Sequence, residues 1–400
     1  MRSARVALLL AVAALGALGG KLWLASTTLG TSDVRAFQFF LRAYLGSGAE
    51  TLYAVDPKFN HPPFVLQILL GVRWLVQATG LPFPFCLRLP GILADLGSIL
   101  VLLALFAPDR SRGTRTVLVL VAAAPVSILV SGFHGNTDAI MVFLVLLSVW
   151  LAQGPRRTVL AGAAMGLAVS VKIVPLLLGP AVLFWLPDRR RRLEYAGAAA
   201  LVAIAAASPT IFEAPGLLLR KVLGYSGSFG LWGVSRLATL SPAISEAFEH
   251  GGRWVLLAVL LGLSAWMNLR GRKPSLYRQL GVLTTAFLAF APAFGPQYLV
   301  WIVPFLVGLP VAAVAAFLAV SGAFLVLVYT FWSQGVEQDL GVTDWRTAEF
   351  WRMGLPWHYA NADQLGPWRG EIVPVEIACW VAVVVLFALQ MRAARREGEV

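Results

Sequence analysis

The sequence predicts an all-α polytopic membrane protein, a bundle of about twelve transmembrane helices with further helices in the outer interface. Three observations carry this. Apolar residues make up 58% of the 400 and charged residues only 13%. Uninterrupted runs such as VALLLAVAALGALGG, ILVLLALFA and AAVAAFLAVSGAFLVLVY are long enough to cross, or nearly cross, a hydrocarbon core of roughly 30 Å. The formal charge of +12 is also divided by side. The N-terminus, PDRSRGTR, GPRR, PDRRRRLEY, RGRKPSLYR and MRAARREGEV hold 18 Lys/Arg and 5 Asp/Glu, and everything else holds 14 and 15. The basic side is cytoplasmic and carries both termini. The charge is therefore a topology signal: the implied partner is the lipid bilayer, with no nucleic acid. The excess of Arg over Lys, with abundant Ala and Gly, points to a GC-rich bacterium and its plasma membrane. Cys86 and Cys379 both lie beside apolar segments, so no disulfide framework or Cys-based metal site is readable.

The elements follow in chain order. Residues 1–25, with Arg2 and Arg5 ahead of a hydrophobic stretch, resemble a signal peptide, but many spans follow, so they read as an uncleaved first helix spanning near 5–25. Residues 32–45 predict a helix, with Ser32 as its cap and Gly46 as its stop. At 100° per residue, Phe37, Phe40 and Tyr44 project within about 40° of Asp33, and Arg35, Gln38 and Arg42 fall opposite. The acid shares the apolar face. Either it caps the helix, or it is a general base whose pKa partial desolvation raises toward neutrality. In YAVDPKFNHPPF, Pro62 and Pro63 stop one helix and suit the first turn of the next, fixing Asn60 and His61 at its mouth. A purely structural turn would look the same.

Residues 63–79 resemble another span, but a full crossing would put the arginine-rich loops on alternating sides. Arg73, Gln77 and Gln67 fall within about a third of the wheel. The segment reads as a helix lying in the outer interface, or dipping in and returning; a true span is the alternative. The first outer segment then covers 26–87. Spans are expected at 88–107, 116–131, 137–152, 157–172, 173–187, 194–211, 253–269, 278–293, 297–308, 310–331 and 373–391, with further outer loops at 213–252 and 332–372. The chain, 1–400, reads as a single transmembrane domain. The absence of an internal repeat argues against inverted-repeat transporters.

Several polar groups stand out against this background. His134, Asn136 and Asp138 cluster in a turn between two spans, where Asp138 is either a helix cap or part of a site. Lys172 stands at the outer end of a span, two residues before Val174-Pro175. It either snorkels or ligates a phosphate within the bundle. Arg88 starts a span near the same face, as interfacial anchor or as help for Lys172. Gln297 and Tyr298 follow Pro296 at a helix start, where backbone N–H groups favour anions. Glu213, Arg236 and the stretch from WSQGVEQD to WHYANADQ are candidates for holding an acceptor. His250 and His358 are isolated and read as surface residues. His61 and His134 lack the clustered acids of a zinc site, so no metal ligand is assigned.

An acid soon after the first span, an amphipathic helix, G-x-x-x-LY and then NHPPF resemble the first outer loop of GT-C glycosyltransferases, polytopic enzymes that use polyprenyl-phosphate sugars. SGFHGNTDAIMVFLVLLS (131–148) resembles the family's second outer loop, and GLAVSVKIVPLLLGP (166–180) its Lys-x-x-Pro helix break. FAPAFGPQYLVWIVPF (290–305) is similar to the late motif of bacterial and PIG-M-like mannosyltransferases. The likeness runs over residues 5–305 in the right order. One departure is the single acid in SDV, where PIG-M-like enzymes carry Asp-x-Asp; it leaves a divalent metal open, with no cofactor assigned.

The resemblance implies transfer of a sugar, mannose in that family, from a polyprenyl-phosphate donor to a glycan, lipid or protein acceptor at the outer face. Asp33 would be the base of an inverting displacement. Lys172, helped by His61, His134 or Arg88, would neutralise the phosphate. The rival reading is a transporter or lipid flippase with an outer vestibule, and a third is a scaffold without chemistry. The rival explains the many spans and the break at Lys172, but not the long first loop with its acid.

Overall fold

The computed structural model describes residues 2–56, 59–109, 111–154, 156–208, 210–213, 215–224, 228–269, 272–333 and 372–399. The chain is helical nearly throughout. The first helix, α1 (Arg2–Thr27), leads through the tetrapeptide 28–31 into α2 (Ser32–Val55). The cap of α2 is Thr31 rather than Ser32: the Thr31 hydroxyl accepts the Asp33 N–H. Helix α2 also runs past Gly46. It kinks at Gly48, whose φ of +79° is open to glycine without strain, and resumes to Val55. Val34, Phe37, Phe40 and Leu41 are buried, and Arg35 and Arg42 are exposed, as the face pattern predicts.

These side chains do not join the main core. They pack with Leu52, Tyr53, Phe59, Val65, Leu69 and Cys86 into a second apolar cluster between α2, α3 (Phe64–Thr79) and the start of α4 (Phe83–Phe106). Helix α3 has 16 residues, a rise of about 24 Å, short of a full crossing. It ends on left-handed Gly80, and Gln67 donates from it to the Ala206 carbonyl at 3.0 Å.

After α5 (Arg112–Ala122), Pro125 opens the short α6 (Pro125–Ser127), which widens directly into a π-helix, Ile128–His134. Then α7 (Asp138–Ala152), α8 (Thr158–Val171) and α10 (Arg189–Ala207) stack together, with α9 (Gly179–Trp185) between α8 and α10 in sequence. Gly162 and Gly166, four apart on α8, let α10 approach to backbone distance: a Cβ at either would run into the Tyr195 or Ala199 carbonyl. Helix α8 breaks at Lys172, whose backbone is extended, and a 3-10 turn, Val174–Leu178, carries Pro175.

The remainder comprises α11 (Thr210–Glu213), α12 (Pro215–Leu223), β1 (Ser228–Phe229), α13 (Gly233–Ala238), α14 (Pro242–Leu269), α15 (Leu276–Phe290), β2 (Ala293–Phe294), 3-10 helices Pro296–Trp301 and Val303–Leu306, α16 (Val311–Trp332) and α17 (Ile372–Glu399). Strands β1 and β2 pair antiparallel, Ser228 opposite Phe294. Helix α17 closes the bundle against α15 and α16: Trp380 donates to the Ala289 carbonyl, and Gln390 to that of Phe305.

Among the described residues six segments are long and apolar enough to cross a membrane: Ala7–Thr27, Phe83–Phe106, Arg112–His134, Pro242–Leu269, Val311–Thr330 and Ile372–Glu399. Five shorter apolar segments accompany them. The expected count of twelve spans is not confirmed. Two of the expected spans, 173–187 and 297–308, are broken by 3-10 turns at Pro175, Pro296 and Pro304, where a missing N–H interrupts the α-helical ladder. Of the third outer loop, 334–371, with His358, lies outside the described residues.

Candidate active site

Two loops far apart in sequence meet at Asp33. The first, 28–31, hangs from the end of α1; the second, 134–136, closes the π-helix. Thr31 joins them: its Oγ1 lies 2.7 Å from His134 Nδ1. With Thr31 donating, a neutral His134 carries its proton on Nε2, the nitrogen that faces Asp33. That nitrogen lies 3.2 Å from Asp33 Oδ2. Asn136 donates from Nδ2 to the same oxygen at 2.7 Å, and its own Oδ1 accepts the Thr137 N–H. His134 is fully buried and stacked on Tyr329, centroids 4.6 Å apart and planes 10° apart. About a third of the Asp33 side chain, 32%, stays exposed. Asp33 is therefore not the helix cap: Thr31 does that work, and the carboxylate is turned to partners over a hundred residues away.

Backbone chemistry makes the meeting possible. The π-helix ends on Gly135 at φ +77°, and a Cβ there would strike Val34. Gly30, at φ +88°, leaves room for the Arg88 guanidinium. Arg88 is 1% exposed and no interfacial anchor. Its Nη1 donates to the carbonyls of Ala25 (3.1 Å) and Thr28 (2.9 Å), stitching the end of α1, while Nε and Nη2 are buried without a hydrogen-bond partner among the described residues.

Electrostatics correct the expected pKa of Asp33. Burial alone pushes the carboxyl up, but the nearby His134, the hydrogen bonds from His134 and Asn136, and the field of His61 together outweigh it. The group sits below the ordinary carboxylate value. It is ionised at neutral pH. His61 goes the other way for an imidazole: burial first, then Lys172, push it down to about 4 against the pull of Asp33 and Asp138. It is neutral at pH 7. Its ring packs against Phe37 and Phe59 at 5.2 and 5.8 Å, and its carbonyl accepts the Tyr53 hydroxyl at 2.6 Å. Asn60 is half-buried beside it.

A second charged pair stands close enough to His61 to act on it. Lys172 Nζ lies 2.8 and 3.0 Å from the two oxygens of Asp138, and Trp301 Nε1 donates to Asp138 Oδ1. Asp138 is fully buried and makes no cap bond to its helix; Lys172 turns inward to it instead of snorkelling outward. The ammonium also lies over Tyr298 at 4.6 Å and Trp301 at 5.4 Å. Gln297 Oε1, on the same 3-10 helix, is buried without a partner among the described residues. Arg236 is committed elsewhere, paired with Glu376 at 2.8 Å, and Glu213 and His250 are exposed. Among the described residues no three His, Cys, Asp or Glu side chains converge as a metal-holding set.

The sequence reading thus marked most of the cluster but missed Thr31, Tyr329 and Trp301. Thr31 had a weak signal, a hydroxyl two residues before the acid; Tyr329 was hidden at the end of an apolar run.

Comparison with known proteins bears on this arrangement. The structure of ArnT from Cupriavidus metallidurans bound to undecaprenyl phosphate superposes with a TM-score of 0.53, covering 100% of this chain and 79% of that one at 14% identity. The apo ArnT structure gives 0.51, covering 100% and 78% at 16% identity. The sequence model of Glycosyltransferase family 87 (GT87) matches residues 59–218. The chain has the GT-C fold of these ArnT structures. The GT87 match takes in Asn60, His61, Arg88, His134, Asp138 and Lys172; Asp33, Gln297 and Tyr298 lie outside it. GPI mannosyltransferase 1 of Saccharomyces cerevisiae is 24% identical over 238 residues, 54% of this chain and 58% of the yeast protein. The chain thus spans under two thirds of that relative's length. GPI mannosyltransferase 1 of Aspergillus oryzae is 33% identical over 61 residues, 15% of this chain and 14% of that one.

Proposed function

We propose that this protein is a membrane glycosyltransferase that moves a mannosyl group from a polyprenyl-phosphate donor to an acceptor hydroxyl, inverting the anomeric centre. The observation that carries the reading is the state of Asp33. One carboxylate oxygen is pinned by Asn136 and His134, and the other, Oδ1, makes no hydrogen bond among the described residues in a side chain that is partly open. An ionised, oriented carboxylate with one free oxygen is what a general base requires. The acceptor oxygen attacks the anomeric carbon and gives its proton to Asp33. The bond from that carbon to the phosphate oxygen breaks on the opposite side, leaving its electron pair on the lipid phosphate. Lys172, fixed by Asp138, Tyr298 and Trp301, supplies the positive field for that leaving group, and neutral His61 and Gln297 offer hydrogen bonds to sugar or phosphate. Support for the donor and sugar comes from the neighbours: the ArnT structure described as bound to undecaprenyl phosphate and the relatives named as mannosyltransferases. In this reading the site faces outward, both termini are cytoplasmic, and the outer loops 213–252 and 332–372 hold a glycan, lipid or protein acceptor.

The deciding experiment incubates membranes containing the full chain with radiolabelled polyprenyl-phosphate mannose. Label should pass to an endogenous or added acceptor, and the Asp33→Asn chain should not transfer it. Vectorial movement of unhydrolysed donor without any glycosylated product would instead identify a flippase.

A further inference from the structure

Six residues before the end of α1, an ionic cluster sits inside the membrane-spanning region. Lys21 Nζ lies 2.8 Å from Asp95 Oδ2 on α4 and 2.8 Å from the Ser127 hydroxyl, and Ser127 donates to the same Asp95 oxygen at 2.8 Å. The triangle is closed. Lys21, Asp95 and Ser127 are 5%, 7% and 6% exposed, and each belongs to a segment apolar and long enough to span. Ionisable groups at that depth are costly, and a buried ion pair contributes little net stability compared with apolar side chains of the same size. What such a pair does well is hold one element in a single register against another.

The elements held here all lead to Asp33. Ser127 is the last residue before the π-helix whose other end is His134. Inside that helix, Gly132 lies directly against α1: a Cβ there would meet the Lys21 Cα at 2.8 Å. From Lys21 the chain runs on to Thr31 and Asp33. From Asp95, two helical turns back along α4, comes Arg88, which grips the α1 carbonyls of Ala25 and Thr28. Helices α1 and α4 and the π-helix are thus fastened at two levels below the point where Asp33 meets His134 and Asn136.

We infer that Lys21, Asp95 and Ser127 form an intramembrane positioning device that sets α1 against the π-helix, and thereby the separation of Asp33 from His134 and Asn136. Its kinetic consequence rests on the glycosyltransferase reading; its geometric consequence does not. The pair is removed as a whole, Lys21→Met with Asp95→Leu, because removal of one partner strands a buried charge and threatens folding. In lipid nanodiscs the double variant should melt within a few degrees of the parent. Its kcat for transfer should fall about tenfold or more, as small misplacements of reacting groups do, with the donor KM little changed. The second arm replaces Asp33 and Asn136 by cysteine, in a background with Cys86→Ala and Cys379→Ala, and measures the rate of oxidative cross-linking. That rate should drop several-fold when Lys21→Met and Asp95→Leu are added. An unchanged cross-linking rate overturns the inference, as does a double variant with parental kcat. If the parent transfers no sugar from any polyprenyl phosphate, the enzymatic reading fails by itself, and cross-linking still decides the positioning role.

Discussion

Lys172 grips both oxygens of Asp138, at 2.8 and 3.0 Å, where helix α8 breaks and the chain turns back into the bundle. The contact joins residues 34 positions apart and leaves Asp138 with no exposed surface. Lys172 is thus bound to the fold, and in the proposed reading it also meets the donor phosphate, so a substitution reports on both roles.

Lys172→Met strands a buried carboxylate and should cost about 3–5 kcal/mol of stability, seen as a clear fall in melting temperature. Adding Asp138→Asn removes the stranded charge and should restore most of the melting temperature. Binding of fluorescent polyprenyl phosphate should stay weak in the double variant. Parental donor affinity there would remove Lys172 from the phosphate site.

Asp33→Asn should lower turnover by roughly 10²–10⁴-fold while the helix stays intact, since its cap is Thr31. Because the carboxyl lies below its ordinary value of 3.8, transfer should show no acid limb from Asp33 between pH 5 and 7. A depressed carboxylate contributes stability above its unfolded value and loses it as pH falls through its folded value, so its share persists down to below pH 3.8. A Asp33-dependent inflection near neutrality in the pH–rate profile would contradict the geometry described.

His61 gives the opposite slope. Its folded pKa of about 4 lies below the ordinary 6.5, so the unfolded chain takes up the proton first as pH falls. Stability should therefore decline between pH 6.5 and 4, by up to about 3 kcal/mol. Thermal melts across that range should show a smaller decline in His61→Gln. Equal declines would mean that His61 is not held neutral.

Gly135→Ala forces a side chain into left-handed backbone, worth about 1–2 kcal/mol, and pushes it against Val34 at 2.8 Å. Both melting temperature and turnover should drop, because the same residue positions His134 and Asn136. Gly46→Ala, in helical backbone with open space around it, is the control and should be neutral or slightly stabilising in the same melts.

The membrane class, the order of the motifs and the apolar face of α2 followed from the sequence because each is local. Hydropathy is set by composition over twenty residues, and a helix face by a period of 3.6. Proline and glycine marked the break at Lys172 and the turn at His61 for the same reason. Tertiary structure decided the rest. Whether Asp33 caps its helix, and whether its pKa moves up or down, depends on His134 and Asn136, 101 and 103 residues away. The partner of Lys172, the stacking of Tyr329 on His134 and the Lys21–Asp95–Ser127 triangle arise only where separate helices meet. The 3-10 breaks at Pro175, Pro296 and Pro304 escaped too, since a proline can end a helix or merely bend it, and packing against neighbours settles which. Local chemistry fixes what a segment prefers; long-range burial fixes which charges face one another, and a carboxylate's behaviour follows from its neighbours.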